Sequence, residues 1–311
     1  MRIALIGRTK YLLDSAIKIL SLNYKIEIII TSKAEKYYNC DEKKYEKFCH
    51  ENKIKYLCIN NNDQKTMEKV LLDKMDIAFS INWPFILNKN IIKSFKLGIV
   101  NFHCGDLPSY RGNACPNWAI LNNEKKIALT AHFMDEALDN GPILKKIYFD
   151  LNENTYITDI FEWINIELPL LLICILKEAQ SGQLKPIDQS LMTEEIIHCY
   201  PRKPIDSRID WKNSSRNIHA LIRASSTPFS GAYTFLENNV KVIIWKSSIY
   251  NIGHKIHAMP GQFLFNYKNK LVVACGEGQL IIEKIQIIDN VNDLSWGKIK
   301  SQLRSRFING F

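Results

Sequence analysis

The sequence predicts an α/β fold in two parts: a doubly wound, mostly parallel sheet, followed by a small antiparallel β domain. Three observations carry this. Short apolar runs alternate with amphipathic stretches through the first half, the βαβα rhythm of a parallel sheet flanked by helices. Prolines at 186, 201 and 204 then interrupt regular structure, because each lacks the amide hydrogen a helix needs. Beyond them, apolar runs sit between hairpin-like turns, as in a small antiparallel sheet or barrel.

Ile3–Ile6, Ile26–Thr31, Tyr56–Ile59 and Ile77–Ser80 read as buried strands. Tyr11–Leu22, Lys43–Glu51 and Gln64–Met75 read as the helices between them. Such sheets bind ligands at the carboxyl ends of their strands, where the strand order switches. The first turn, Gly7-Arg-Thr-Lys-Tyr11, is not Gly-x-Gly-x-x-Gly, which disfavours a nicotinamide or flavin enzyme. Gly98–His103 is a further strand, and Ile127–Met134 and Ile143–Phe149 are two more, joined through a turn at Asp139-Asn-Gly141. Thr155–Ser181 forms a long helix, and Gly182 stands where a helix cap belongs. In the second part, Ser214–Ser225 is a short helix. Ala232–Phe235, Lys241–Ile249, Gln262–Tyr267, Lys270–Ala274 and Gln279–Ile288 are strands.

The chain of 311 residues, 46% hydrophobic and 23% charged, is long enough for two domains with full cores. The longest apolar run, Leu168–Leu176, ends in Lys177 and Glu178 and is too short to span a membrane. The start of the chain lacks the apolar segment and cleavage site of a secretory signal, so a cytoplasmic location is the expectation. Eight cysteines include no Cys-x-x-Cys pair, so they are expected as free thiols and neither a zinc knuckle nor a redox motif is signalled. The net charge of +9 suits anionic partners such as nucleotides or folates. It suits equally a solvated, lysine-rich surface.

The chemistry concentrates in Asn101-Phe-His-Cys-Gly-Asp-Leu-Pro-Ser-Tyr-Arg-Gly-Asn113. The strand period of two puts Asn101 and His103 on one face, at the end of a parallel strand. This pair suits acyl transfer to an amine. Histidine accepts the proton that the amine must lose. An asparagine amide stabilises the oxyanion that forms on the attacked carbonyl. A carboxylate would orient the imidazole, and Asp139 lies in the turn between the next two strands. Each residue also has a plain structural reading: an Asn-x-His is common, and Asp-Asn-Gly is an ordinary turn.

Together these segments resemble the signature of the folate-dependent formyltransferases: Asn-x-His, Leu-Pro, Arg-Gly and a later Leu-Asp-x-Gly, here Leu138-Asp139-Asn140-Gly141. The resemblance implies a catalytic triad of Asn101, His103 and Asp139, 10-formyltetrahydrofolate as co-substrate, and no metal. It implies a folate pocket with Phe85, Ile86 and Leu87 on one wall and Asp135, Glu136, Ala137 and Leu138 on the other. It also implies a Rossmann-like formyltransferase domain over 1–185, a linker over 186–208 and an OB-like β domain over 209–311. Pro260-Gly-Gln and Leu271–Leu280 are the segments that resemble the last of these.

Three branches of that family differ in the acceptor. One formylates methionyl-tRNA and carries a basic inserted loop after the second strand. Here that stretch, Ser32–Lys44, is short and mixed in charge, which disfavours a grip on nucleic acid. A second formylates a nucleotide-linked amino sugar, and Asp106–Ala119 and Tyr200–Trp211 resemble it more closely. It implies a dTDP-4-amino-4,6-dideoxyhexose destined for surface polysaccharide such as O-antigen or lipopolysaccharide. Arg8, Lys10, Asn113, Arg202 and Lys203 are then candidates to bind the acceptor, with no membrane contact. Trp118 lines the pocket or pins a helix start, and Trp211 and Tyr233 stack on a base or pack, packing being preferred. The third branch, a formyl-folate hydrolase, usually carries a preceding regulatory domain, and none precedes Met1. A non-catalytic nucleotide-sugar or RNA-binding protein on the same fold stays open. The hairpin-rich C-terminal half offers a surface on which a homodimer could form.

Overall fold

The computed structural model describes residues 1–35, 40–60, 62–71, 75–251, 256–288, 297, 299 and 305–308. The chain divides into two compact units. The first comprises residues 1–115, 127–149 and 161–200, and the second 116–126, 150–160 and 201–311.

Through residue 199 the elements run β1 (Ile3–Gly7), α1 (Lys10–Ser21), β2 (Ile26–Ser32), α2 (Glu42–Glu51), β3 (Lys55–Ile59), α3 (Gln64–Val70), β4 (Ile77–Ile81), α4 (Lys89–Lys93), β5 (Ile99–His103), β6 (Arg111–Gly112), α5 (Cys115–Leu121), β7 (Lys126–Phe133), β8 (Ile143–Asp150), α6 (Ile157–Gln180) and β9 (His198–Cys199). The main sheet has the order β3-β2-β1-β4-β5-β7-β8. Its first five strands are parallel, and β7 lies antiparallel to β5. The order reverses between β1 and β4, which makes their carboxyl ends the switch point. Gly7 is needed there: a Cβ on it would stand 2.0 Å from the Ile81 carbonyl oxygen, and its φ is +146°.

Short polar side chains set the helix starts. Asp41 accepts the Lys44 amide at 3.1 Å, Asp63 the Thr66 amide at 3.2 Å and Asn88 the Ile91 amide at 3.0 Å. These bonds satisfy donors that have no partner inside the first turn. At the other end of α6, Gly182 has φ +69° and the Gln183 amide returns to the Glu178 carbonyl at 2.8 Å, as its expected cap role requires.

One element differs from its expectation. Met75 does not end α3. It forms an isolated parallel bridge with Phe95, its amide donating to Ser94 and its carbonyl accepting from Lys96. An apolar residue at helical spacing is therefore held by an extended ladder. Residues 72–74 of that expected helix, and 36–39 of the stretch after β2, lie outside the described residues.

In the second unit, α7 (Ser215–Ser225) precedes β10 (Ala232–Leu236), β11 (Lys241–Tyr250), β12 (Phe263–Tyr267), β13 (Lys270–Ala274), β14 (Gln279–Ile287) and β15 (Phe307–Ile308). The sheet order is β12-β13-β14-β11-β10-β15. Each neighbouring pair in it runs antiparallel. Its two edges also meet: Gln262 bridges Arg306, Phe263 donates to Ser305 at 3.0 Å and Phe307 to Gly261 at 2.9 Å. The sheet thus closes on itself, which removes exposed edges. Trp211 fills its core, 2% exposed, stacked on Phe307 at 5.2 Å with its indole N–H donated to Thr234. Packing, the preferred reading, is its role. Tyr233 sits under the Lys241 ammonium at 4.1 Å.

Among the described residues no helix is long and apolar enough to cross a membrane. All eight cysteines are free thiols.

Candidate functional site

The site lies on the last residues of β5 and on its antiparallel partner. Asn101 and His103 share a face of β5, as the strand period requires. The ladder places His132 of β7 directly opposite Asn101 and Thr130 opposite His103, so these side chains stand on the same face. Asn101 Nδ2 lies 3.2 Å from His132 Nε2, and His132 Nδ1 lies 2.8 Å from the Phe133 carbonyl. In the neutral ring Nδ1–H donates to that carbonyl, which leaves Nε2 to accept from the Asn101 amide.

His103 is 8% exposed. Its Nε2 lies 2.7 Å from the Tyr110 carbonyl, to which it donates, and its Nδ1 lies 3.5 Å from Asp139 Oδ2. In the neutral ring Nδ1 is therefore the basic atom, and it faces the carboxylate. Burial lowers the pKa of His103 below the ordinary 6.5, against the opposing pull of Asp139 and the Tyr110 carbonyl.

Asp139 sits in the β7–β8 turn with φ +50°. Its Oδ2 accepts the Gly112 amide at 2.9 Å and its Oδ1 lies 3.6 Å from His132 Nε2. Burial pushes this carboxyl up, but the His132 and His103 rings in their charged forms, together with the Gly112 amide, outweigh it and hold the pKa at about 2. Asp139 is ionised at any ordinary pH. The structure thus gathers Asn101, His103 and Asp139 around one point and adds His132. The polar alternation of Thr130 and His132 in an otherwise apolar strand is the sequence signal that points to it.

The loop after β5 folds tightly over His103. Thr130 Oγ1 donates to the Gly105 carbonyl at 2.7 Å, and the Cys115 thiol donates to the Tyr110 carbonyl at 3.0 Å. A Cβ on Gly105 would stand 2.3 Å from the Tyr110 oxygen and 2.4 Å from His103 Nε2. Gly105→Ala must therefore displace one of them. It is expected to cost about 1–3 kcal/mol of stability, read as a lower urea midpoint than that of the wild type. An unchanged midpoint would show that the loop has room to give.

The expected folate walls are exposed to different degrees. Ile86 is 64% exposed, Phe85 is half-buried in edge contact with Trp83, and Leu87 is buried in the core beside β4. Gln64 clamps this loop, donating to the Ile86 carbonyl at 2.9 Å and accepting the Asn88 amide at 2.7 Å. Trp83 Nε1 is buried with no hydrogen-bond partner among the described residues. On the second wall, Asp135 accepts from the Ala137 amide and the Asn140 side chain, and Glu136 pairs with Lys89 at 2.9 Å. Ala137 and Leu138 are exposed.

The candidate acceptor cations are mostly engaged. Arg8 Nη1 meets the Lys33 carbonyl at 3.4 Å and Glu35 at 3.3 Å, and Lys10 pairs with Asp14. Asn113 is exposed, its amide bonded to the Cys199 carbonyl. In the second unit, Arg202 lies 6.0 Å over the Trp118 ring and donates to the Asp206 carbonyl, while exposed Lys203 takes Asp206 on its backbone amide. That unit also holds a cavity of ≈ 290 Å³ beside Arg216, His219 and Arg223, which none of the motif residues lines.

Comparison with known proteins agrees with this geometry. Residues 1–162 match the formyl transferase family, and residues 202–292 match the formyl transferase C-terminal domain. A methionyl-tRNA formyltransferase of Clostridium novyi (strain NT) is 34% identical over 224 residues, 71% of this chain and 69% of that protein. The bifunctional polymyxin resistance protein ArnA of Wigglesworthia glossinidia brevipalpis is 33% identical over 73% of this chain and 34% of its own length. Among solved structures, an N-formyltransferase from Helicobacter canadensis, in complex with folinic acid and dTDP-3-aminofucose, superposes with a TM-score of 0.65. It is 19% identical and covers 91% of this chain and 98% of its own. A 4-N formyltransferase from Francisella tularensis gives a TM-score of 0.61 at 19% identity, covering 77% and 94%. The chain belongs to the formyl transferase family and is a one-carbon group transferase.

Proposed function

We propose that the protein transfers a formyl group from 10-formyltetrahydrofolate to the amine of a nucleotide-linked amino sugar, a dTDP-4-amino-4,6-dideoxyhexose made for surface polysaccharide. The observation that carries the transfer chemistry is the buried pair of His103 and ionised Asp139 beside Asn101. Because His132 takes one amide hydrogen of Asn101, the other is left for a developing oxyanion, where a fixed donor acts most strongly. His103 takes the amine proton at Nδ1, and Asp139 stabilises the imidazolium that results. As the bond from the formyl carbon to N10 breaks, the proton passes on to N10 of the leaving tetrahydrofolate. The half-open Phe85–Leu87 loop suits a flat, polar-edged donor such as folate: it exposes Ile86, and Trp83 just before it has a buried indole N–H with no hydrogen-bond partner among the described residues. Gln64 fixes that loop without facing the reacting atoms. Gln64→Ala is expected to raise KM for the formyl donor about three- to tenfold, the worth of one or two hydrogen bonds, with kcat nearly unchanged. Steady-state kinetics in the donor concentration would show it; a fall in kcat alone would contradict it.

The acceptor reading rests on the stretch after β2. Its acids are committed to local structure: Glu35 to Arg8, Asp41 to the start of α2 and Glu42 to the Ala34 amide at 3.2 Å. A surface that grips a phosphate backbone would be net basic and free of acids, whereas this stretch sets Glu35, Asp41 and Glu42 against four lysines. The Helicobacter canadensis protein, likened in fold alone, is described with a dTDP-amino sugar. A second reading, methionyl-tRNA as acceptor, is favoured by the 34% identical relative. Following tetrahydrofolate release from 10-formyltetrahydrofolate separates them. Release that depends on a dTDP-4-amino-4,6-dideoxyhexose supports the first reading, and release that depends on methionyl-tRNA replaces it. Release without an acceptor would make the protein a hydrolase. No release with any acceptor would leave a binding protein.

A further inference from the structure

Gln189 is 4% exposed, although it lies in the stretch that the sequence marks as linker. Its side chain is fully used. Nε2 donates to the carbonyls of Asp139 at 3.0 Å and of Gly141 at 2.8 Å, and Oε1 accepts from Arg111 Nη2 at 2.8 Å. Gly112, the next residue after Arg111, donates its amide to the Asp139 carboxylate. Gln189 therefore closes a ring of bonds between the two chain segments that meet at Asp139. Its own place is fixed from both sides. Ile187 exchanges two backbone bonds of 2.8 Å with Ile143, and β9 pairs in parallel with β6.

The turn needs this hold. Asp139 adopts the left-handed region, φ +50°, where a Cβ crowds the following carbonyl oxygen, and such a conformation persists where its surroundings hold it. Gly141 has no slack either, since a Cβ there would stand 2.0 Å from the Phe133 oxygen. Without Gln189, two carbonyls that it now satisfies and the Arg111 guanidinium would lose their shared partner. The turn would relax, and the carboxylate would move away from His103.

We infer that Gln189 is the positioning residue of the formyl-transfer site, acting through Asp139 by holding the Asp139–Gly141 turn against the Arg111–Gly112 strand. The inference rests on the reading of His103 and Asp139 given above. The test is a double-mutant cycle on the full chain, with 10-formyltetrahydrofolate and a dTDP-4-amino-4,6-dideoxyhexose, or methionyl-tRNA if that proves the acceptor. Gln189→Leu should lower kcat about 10- to 100-fold, with KM for both substrates changed less than about threefold, because the loss is in alignment. It should also move the acid limb of the pH–rate profile to lower pH, since His103 loses part of the carboxylate's support. In the Asp139→Asn background the same change should cost less than about threefold, because coupled residues are not additive. An equal loss in both backgrounds, or full activity of Gln189→Leu, overturns the inference. Full activity of Asp139→Asn alone would instead overturn the reading of the triad. If Gln189→Leu does not fold, Gln189→Glu keeps the Arg111 acceptor and lacks the two donors. It should show the same kcat loss and the same non-additivity, and wild-type activity in it overturns the inference equally.

Discussion

Replacing His103 with alanine is expected to lower kcat for formyl transfer by about 10²–10⁴-fold, the contribution of a positioned general base. The size follows from what surrounds it. His103 Nδ1 is the basic nitrogen because the Tyr110 carbonyl holds the proton of Nε2. Burial keeps the ring neutral near neutral pH, so it is ready to accept a proton. No other described side chain is placed to take over. His132 is committed to the Phe133 carbonyl and to Asn101, and burial pushes the neighbouring Cys104 thiol up to about 12, so it stays protonated. The variant also leaves Asp139 without one of its imidazole partners. Circular-dichroism melting should accompany the kinetics, to separate lost catalysis from lost folding. A folded variant with wild-type kcat would remove His103 from the mechanism.

How much of this was legible in the sequence depends on the range of the interaction. Asn101 and His103 were legible as a pair because a strand places i and i+2 on one face, and that is local geometry. Asp139 needed the family signature, since an Asp-Asn-Gly turn reads as a turn. His132 was legible only as a polar residue that alternates with Thr130 in β7; its place opposite Asn101 depends on the register of β5 against β7, and register is a long-range property. Gln189 was hidden for the same reason. It lies 50 residues from Asp139 and 78 from Arg111 along the chain, in a segment with no periodicity. Arg8 read as an open cation because Glu35, which meets it, lies 27 residues on; Lys10 stands four residues before Asp14, a pairing that the helix period itself provides. The closing of the second sheet through Gln262 and Arg306 is again a pairing between distant segments. The fold class was visible because hydrophobic period is written locally and repeated along each element.

Asp139→Asn is expected to reduce kcat by about 10³–10⁴-fold, the scale seen when the carboxylate of an Asp–His pair becomes an amide. Asparagine tolerates the left-handed backbone of the turn and can still accept the Gly112 amide, so the variant removes the charge and little else. The pH dependence then gives an independent check. In the wild type the carboxylate raises the proton affinity of His103, partly opposing burial. Without it burial acts with less opposition, so the acid limb of kcat/KM should move to lower pH while the plateau falls. Stability should respond with the opposite ordering of importance. Asp139 titrates at about 2 in the fold against an ordinary 3.8, a difference worth about 2 kcal/mol when fully expressed. A depressed carboxyl contributes that stability above its unfolded pKa and loses it as pH falls towards its folded one. Between pH ~4 and ~2 the wild type should therefore lose stability more steeply than Asp139→Asn, as read by urea midpoints across that range. Parallel curves would mean that Asp139 carries no such charge linkage. An acid limb that moved to higher pH would show that the carboxylate does not support the His103 imidazolium.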